Sequence, residues 1–346
     1  LTFTNKAAGE MKERITKIVG EENARNLWMG TFHSIFARFL RRDGSYLGYK
    51  SNFTIYDTDN TRSLLRSIIK EMQLDDSVYK PAAVAARISH AKNNLITAQQ
   101  YSQVPQITES DRNSKTPEMA AIYRTYAIRC FKANAMDFDD LLLNMNILFR
   151  DFPAVLAEYR RRFDYILVDE YQDTNYSQYM IVRKLSEESR NLCVVGDDAQ
   201  SIYSFRGARI ENILNFKNDY PDFRLFKLEQ NYRSTQTIVN AANSIIDRNE
   251  GQIKKKVFSK NDVGEKIRVI QTLTDGEEGA LVSSDILDTR MRDRAEWKDF
   301  AILYRTNAQS RIFEEMLRKR NIPYKVFGGT SFYERREIRD LIAYLR

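Results

Sequence analysis

The sequence predicts an α/β protein built from two parallel-sheet units, the first carrying an all-helical insertion. Three observations lead there. Short apolar runs at 165–168, 192–195 and 223–228 each end in polar or acidic residues and are separated by helical stretches. A similar alternation returns from residue 266 onward. Between them, the pattern from about 58 to 160 is helical throughout, with polar loops near 75–80 and 103–117. Apolar strands alternating with helices argue for a parallel sheet covered on both faces.

Taken in order, residues 6–18 and 31–42 read as helices, the second opening at Thr31-Phe32-His33-Ser34. No strand is expected between 58 and 160. Strands are expected at Tyr165–Val168, Leu192–Val195 and Phe223–Leu228, with helices over 176–188 and 208–217. The second unit reads as strand Lys266–Thr272, helix 277–290, strand Phe300–Tyr304, helix 308–320 and strand Tyr324–Phe327. Leu1-Thr2-Phe3-Thr4 reads as the end of a strand. Apolar residues at 338, 341, 342 and 345 have helical spacing with no stop signal after them. Both ends are therefore expected to be cut inside structured elements.

Composition narrows the class. A chain of 346 residues with 42% hydrophobic and 29% charged residues is globular and long enough for two or three domains. No apolar run approaches the roughly 20 residues of a membrane helix, and the start has no signal-peptide architecture. Two cysteines, Cys130 and Cys193, cannot make a disulfide framework and fit a reducing cytoplasm. Two histidines and two cysteines far apart argue against a dedicated zinc site. The net charge of +7 is compatible with a polyanionic partner or with a solvated basic face.

Three loops carry chemistry. The first apolar run delivers Asp169-Glu170 at its carboxyl end, the edge where open parallel sheets place ligands. Adjacent acids suit nucleotide hydrolysis, one for Mg²⁺ and one for the attacking water; acids in the first turn of a helix explain them as well. The second run delivers Gly196-Asp197-Asp198-Ala199-Gln200, then Tyr203 and Phe205 beside Arg206. Gln200 could bond a phosphate or water. Aromatics next to a cation suit stacking on a single strand, or both rings belong to the core. The third run leads to Tyr232-Arg233-Ser234-Thr235, either a base sandwich with a phosphate contact or a helix cap with a solvated arginine.

Together these segments resemble superfamily 1 DNA helicases of the UvrD/PcrA/Rep type. Phe3-Thr4-Asn5-Lys6-Ala7-Ala8 looks like motif Ia and Thr31-Phe32-His33-Ser34 like motif Ib. Asp137-Phe138-Asp139-Asp140-Leu141 matches a further signature, and Asp169-Glu170-Tyr171-Gln172-Asp173-Thr174 looks like motif II. Gly196 to Gly207 looks like motif III, and Gln230-Asn231-Tyr232-Arg233-Ser234 like motif IV. Tyr304 to Ser310 and Ile322 to Glu334 continue the match, which spans the chain in order.

The resemblance implies two RecA-like (P-loop NTPase-like) domains flanking an ATP cleft, with single-stranded DNA crossing above. Residues 1–37 and 161–227 would form domain 1A, 38–160 the helical subdomain 1B, and 228–346 the first part of domain 2A. It implies ATP and Mg²⁺ as cofactors, and single strands and single-strand/duplex junctions as partners. Movement would run 3′ to 5′ in a bacterial, nucleoid-associated setting, serving repair or replication. Asp169 would serve Mg²⁺, Glu170 activate water, Gln200 sense the γ-phosphate, Tyr232 stack on adenine, and Arg233 act as an arginine finger. Tyr203, Phe205 and Arg206 would grip DNA, with Phe3, Thr4, Asn5, Thr31, His33 and Asn307 touching the strand. His33 alone would read as a structural histidine.

Two departures stand out. Phe205 stands where the family often has Trp. The sequence contains no G-x-x-x-x-G-K-[ST] run. The resemblance places that loop before Leu1, and motifs V, VI and subdomain 2B after Arg346, so this stretch alone is expected not to hydrolyse ATP. A non-catalytic single-strand-binding module and part of a helicase–nuclease are the other readings.

Overall fold

The computed structural model describes residues 1–327 together with Leu341 and Tyr344. The expected helix beyond 337 and the end of the Ile322–Glu334 segment lie outside the described residues. Two compact units emerge, Leu1–Asp262 and Val263–Arg346.

The first unit opens with α1 (Asn5–Val19), α2 (Glu21–Asn26) and α3 (Phe32–Asp43). Thr4 caps α1, its hydroxyl accepting from Ala7 N at 3.1 Å, and Thr31 caps α3 through Ser34 N at 3.2 Å. Such caps satisfy backbone N–H groups that a helix start leaves unpaired. Then follow β1 (Thr54–Tyr56), α4 (Thr58–Glu71), α5 (Pro81–Asn93), α6 (Pro105–Asn113) and α7 (Met119–Lys132). Next come β2 (Ala135–Asp137), α8 (Phe138–Asp151), α9 (Pro153–Arg162), β3 (Ile166–Val168), α10 (Tyr176–Ser186) and β4 (Leu192–Val194). The unit ends with α11 (Glu211–Leu214), α12 (Phe216–Asp219), β5 (Gln230–Asn231), α13 (Gln236–Ile246) and β6 (Phe258–Ser259).

All three described sheets are parallel pairs: β1 with β2, β3 with β4, and β5 with β6. The β3 ladder extends on its other side to the chain start. The Leu1 amino nitrogen donates to Leu167 O at 2.7 Å, Asp169 N donates to Leu1 O at 2.9 Å, and Thr2 bridges Thr31 in parallel.

Two apolar cores fill the unit. One gathers β3, α3, α8, α9 and α10 around Phe36, Phe39, Met145, Tyr159, Ile166 and Val182. The other joins α4, α5 and α7 through Leu65, Ile68, Ile88, Ile122, Tyr123 and Tyr126. Thus α8 and α9 pack with the strands, while α4, α5 and α7 form the separate helical layer.

The second unit contains α14 (Asp275–Asp293) and α15 (Ser310–Lys319). A Cβ on Gly279 would lie 3.0 Å from Met316 Cγ, so a glycine is what lets these helices approach closely. Phe313, Leu317 and Ile322 are buried.

Several strand expectations fail. Residues 135–137 form a buried strand inside the stretch read as wholly helical; three residues between two helices are too few to show a period. The run at 223–228 makes no ladder among the described residues, and Leu228 is 89% exposed. Pairing falls instead on Gln230–Asn231, held by Phe258 N donating to Glu229 O at 2.9 Å. Lys266–Thr272, Phe300–Tyr304 and Tyr324–Phe327 also form no ladder among the described residues, and Val269 is 93% exposed. Strand propensity reports fit to a pleated, half-buried surface, and it cannot supply the neighbouring strand. The helix expected over 208–217 is two short pieces, α11 and α12.

One buried charge cluster joins the two cores. Lys92, at the end of α5 and 1% exposed, places Nζ 2.6 Å from Asp137 Oδ2 and 2.7 Å from Asp140 Oδ1. Tyr126 donates to Asp137 at 2.8 Å. Burial and the Asp137 charge push Asp140 up to about 7 despite the Lys92 ammonium. Lys92 holds Asp137 below its ordinary value against burial.

A carboxyl whose folded pKa is raised loses stability as pH climbs from its unfolded value, about 4, to its folded value. Asparagine carries no such cost. The melting midpoint of Asp140→Asn relative to the unsubstituted protein is therefore expected to rise between pH 5 and pH 8, by about 2–5 °C. Thermal melts of both proteins across that range check it.

Candidate active site

The acid pair sits where the β3 ladder ends. Asp169 is partly buried and still pairs through its backbone, whereas Glu170 turns into the left-handed region, φ 52° and ψ 41°. A non-glycine residue there costs on the order of 1–3 kcal/mol and persists only when its surroundings over-determine it. Here they do. Tyr171 N donates to Val195 O at 2.9 Å, and Val195 N to Val168 O at 2.8 Å, tying the turn to the end of β4.

Gln172 completes the lock. Its Nε2 donates to Glu170 Oε2 at 2.8 Å, and its Oε1 accepts from Asp197 N at 3.0 Å. One amide, 1% exposed, therefore spans the acid-bearing turn and the loop after β4. Gly196 makes room for it: a Cβ there would lie 2.5 Å from Gln172 Oε1 and 2.9 Å from Ile213 Cδ1. Sequence reasoning gave Gln172 no role. The glycine one residue before the Asp-Asp pair was the visible signal, but only the fold shows what occupies its missing side chain. Asp173 closes the acidic turn. Burial, reinforced by the Glu170 charge, raises its carboxyl above the ordinary value.

Gln200 lies on the same loop and is exposed. Its Nε2 donates to Asp197 Oδ2 at 2.6 Å, so it reaches Glu170 only through Asp197 and Gln172. Lys255 grips Asp197 and approaches Asp198 Oδ1 at 2.8 Å, while Ile253 N donates to Asp198 Oδ2 at 2.7 Å. Burial works against the Asp197 carboxylate, yet the bonds from Lys255 and Gln200 hold it below its ordinary value.

Tyr203 and Phe205 follow, their ring centroids 5.9 Å apart and 30° between planes, with Phe205 74% exposed. Gly207, φ 85°, ends that turn in a conformation side chains disfavour. The side chain of Arg206 is outside the described set.

Tyr232 and Arg233 are both exposed. Asn231 Oδ1 builds their turn by accepting from Arg233 N at 2.9 Å and Ser234 N at 2.8 Å, a local side-chain bond that competes with strand pairing.

Phe3 and Thr31 meet through the Thr2–Thr31 bridge and the Phe3–Phe32 contact, centroids 5.7 Å apart. Thr4 and Asn5 are exposed at the start of α1. His33 stands edge-on to Phe138 at 5.7 Å, and burial lowers its pKa. Asn307 belongs to the second unit, inside a Thr306–Gln309 capping box.

Among the described residues no group of three or more His, Cys, Asp or Glu side chains could hold a metal ion alone. Asp169 has the chemistry of the single carboxylate that Mg²⁺ can take alongside a nucleotide, with water and phosphate oxygens completing the shell. No helix among the described residues is long and apolar enough to cross a membrane.

Gly196→Ala should evict the Gln172 amide from both bonds. The expected cost is about 1–3 kcal/mol, read as a lower denaturant midpoint, with little recovered when Gln172→Ala is added, because Ile213 still meets the new Cβ.

A sequence model of the UvrD/REP helicase N-terminal domain matches residues 1–221, and one of the UvrD-like helicase C-terminal domain matches residues 226–346. The chain is 44% identical over 345 residues to the ATP-dependent DNA helicase PcrA of Leuconostoc citreum, covering 100% of this chain and 45% of that protein. It is 45% identical over 347 residues to the protein of the same name from Staphylococcus aureus, covering 46% of it. With the Staphylococcus epidermidis protein the identity is 44% over 347 residues, again covering 46%. The chain thus spans just under half the length of these curated relatives. Matched from end to end by its two domain models, this chain belongs to the UvrD/REP helicase family.

Proposed function

We propose that this chain supplies the hydrolytic acids and the strand-gripping aromatics of an ATP-dependent DNA helicase moving 3′ to 5′ on single strands. The observation that carries the reading is the Gln172 bridge. It fastens the Asp169-Glu170 turn to the loop that continues into Gln200, Tyr203 and Phe205. Hydrolysis and strand contact then act on one hydrogen-bonded piece. The relatives named ATP-dependent DNA helicase PcrA support the same activity.

Asp169 would hold Mg²⁺ at the edge of β3. Bound there with a nucleotide, the ion neutralises charge on the phosphates. Glu170, fixed by Gln172, accepts the proton of the attacking water. Gln200 meets the γ-phosphate by leaving Asp197. Arg233 stabilises charge on the transferring phosphoryl group, and Tyr232 stacks on the adenine. Tyr203 and Phe205 stack on bases; Phe3, Thr4, Asn5, Thr31, His33 and Arg206 would touch the strand, and so would Asn307 of the second unit.

In the full-length gene product containing this sequence, Glu170→Gln should cut single-strand-stimulated ATP hydrolysis by about 10²–10⁴-fold. Steady-state ATPase assays with and without oligonucleotide check it. Unchanged hydrolysis would remove Glu170 from its role. Strand binding with no hydrolysis in the unsubstituted protein would favour the non-catalytic binding module.

Phe205→Ala should weaken single-strand affinity by about 5- to 150-fold, the equivalent of one lost base stack of roughly 1–3 kcal/mol. Fluorescence anisotropy on a labelled oligonucleotide measures it, and Tyr203→Ala should act in the same direction.

A further inference from the structure

The end of α5 touches two functional loops at once. Asn93 Oδ1 accepts from Asn175 Nδ2 at 2.7 Å, and Asn93 Nδ2 donates to Asp139 Oδ1 at 3.2 Å and Ser89 Oγ at 3.3 Å. Its neighbour Asn94 accepts a side-chain bond from Arg209. Lys92, one residue earlier, pins this end of α5 to Asp137 and Asp140 at the start of α8. A buried ammonium between two carboxylates gives the anchor little freedom to slide.

Asn175 lies at the exit of the acid-bearing turn. Its Oδ1 caps α10 by accepting from Gln178 N at 2.8 Å, which leaves its Nδ2 for Asn93. Asp or Ser would cap about as well; among the common N-cap side chains only asparagine carries an N–H donor on an atom separate from its capping oxygen. The same segment is clamped to the residues after the aromatic pair. Asn175 bridges Ala208, Arg209 N donates to Thr174 O at 2.9 Å, and Asn212 Nδ2 donates to Thr174 O at 2.9 Å. Both asparagines are at least nine-tenths buried.

We propose that the Asn93–Asn175 amide pair is a positioning contact that holds the acid-bearing turn and the aromatic loop in one register against α5, so that strand engagement reaches the hydrolytic acids. It rests on the helicase reading above and deepens it. Neither asparagine faces the reacting atoms. A displacement at Tyr203 and Phe205 passes through 207–209 to Thr174-Asn175. With Asn175 fixed on α5, the movement is transmitted to Glu170 through Tyr171 and Gln172 instead of being lost in a sliding α10.

The test compares ATP hydrolysis, with and without a single-stranded oligonucleotide, in the full-length gene product and in Asn93→Ala, Asn175→Ser and the double variant. Serine keeps the α10 cap and removes the amide Nδ2 that reaches Asn93. The expected result is basal hydrolysis within about twofold of the unsubstituted protein and a stimulation factor reduced by about tenfold, inside the range usual for coupled sites. The double variant should be no worse than either single one. If basal and stimulated rates fall together, or stimulation survives in Asn175→Ser, the contact is structural only and the inference is overturned. If the unsubstituted protein shows no stimulated hydrolysis, the helicase reading itself fails, and the inference with it.

Discussion

A single buried ammonium sets the terms for the larger unit. Lys92 ends α5 of the helical layer, and both carboxylates it contacts belong to the β2–α8 junction. The two apolar cores share few side chains, so non-directional burial would leave their relative register weakly defined. An ion pair with two fixed oxygen partners and a tyrosine hydroxyl defines it sharply. The arrangement is costly to assemble, because desolvating such charges offsets much of their attraction. It is costlier to break, because removing the ammonium strands two carboxylates in a dry interior. The Lys92 pairing thus favours one docking of the layers over others more than it adds raw stability.

That register matters because neither functional loop is rigid alone. Strands β3 and β4 contribute three residues each to their ladder. The loops beyond are held by side chains: Gln172 across the gap, Asn231 under the Tyr232 turn, Asn175 at the α10 cap. Amides recur because each offers a donor and an acceptor together, so one residue can close a turn and reach a second segment. Carboxylates in the same places would accept only, and would add charge beside Asp169 and Glu170.

The parts of this chain legible in the sequence are those whose cause is local. Thr4 and Thr31 cap helices where the pattern starts them, and the runs at 165–168 and 192–195 end in their loops as expected. Asp169, Glu170, Gln200, Tyr203 and Phe205 were visible as residues following apolar runs. What escaped depends on a partner distant in sequence. The β1–β2 pair joins residues some eighty positions apart, and neither three-residue segment shows a period of its own. The runs at 223–228 and 266–272 have the composition of strands without a ladder. Gln172 could not be ranked above its neighbours until Gly196 was seen to lie against it.

The strained turn at Glu170 draws these threads together. A left-handed glutamate needs continuous support, and two contacts give it: the Tyr171 backbone bond to Val195 and the Gln172 amide, which reaches Asp197. Each runs to the loop that carries Gln200 and the aromatic pair. The carboxylate is therefore aimed by the same bonds that locate the Tyr203 and Phe205 rings. Gln200 differs: its amide is spent on Asp197, a carboxylate that Lys255 also holds. Glu170 is already fixed by Gln172, while under the proposed function Gln200 would have to exchange its Asp197 bond to face a phosphate. Exchange between two comparable bonds has a small net free energy, so under the proposed function Gln200 would turn to a phosphate without loosening the aim of Glu170.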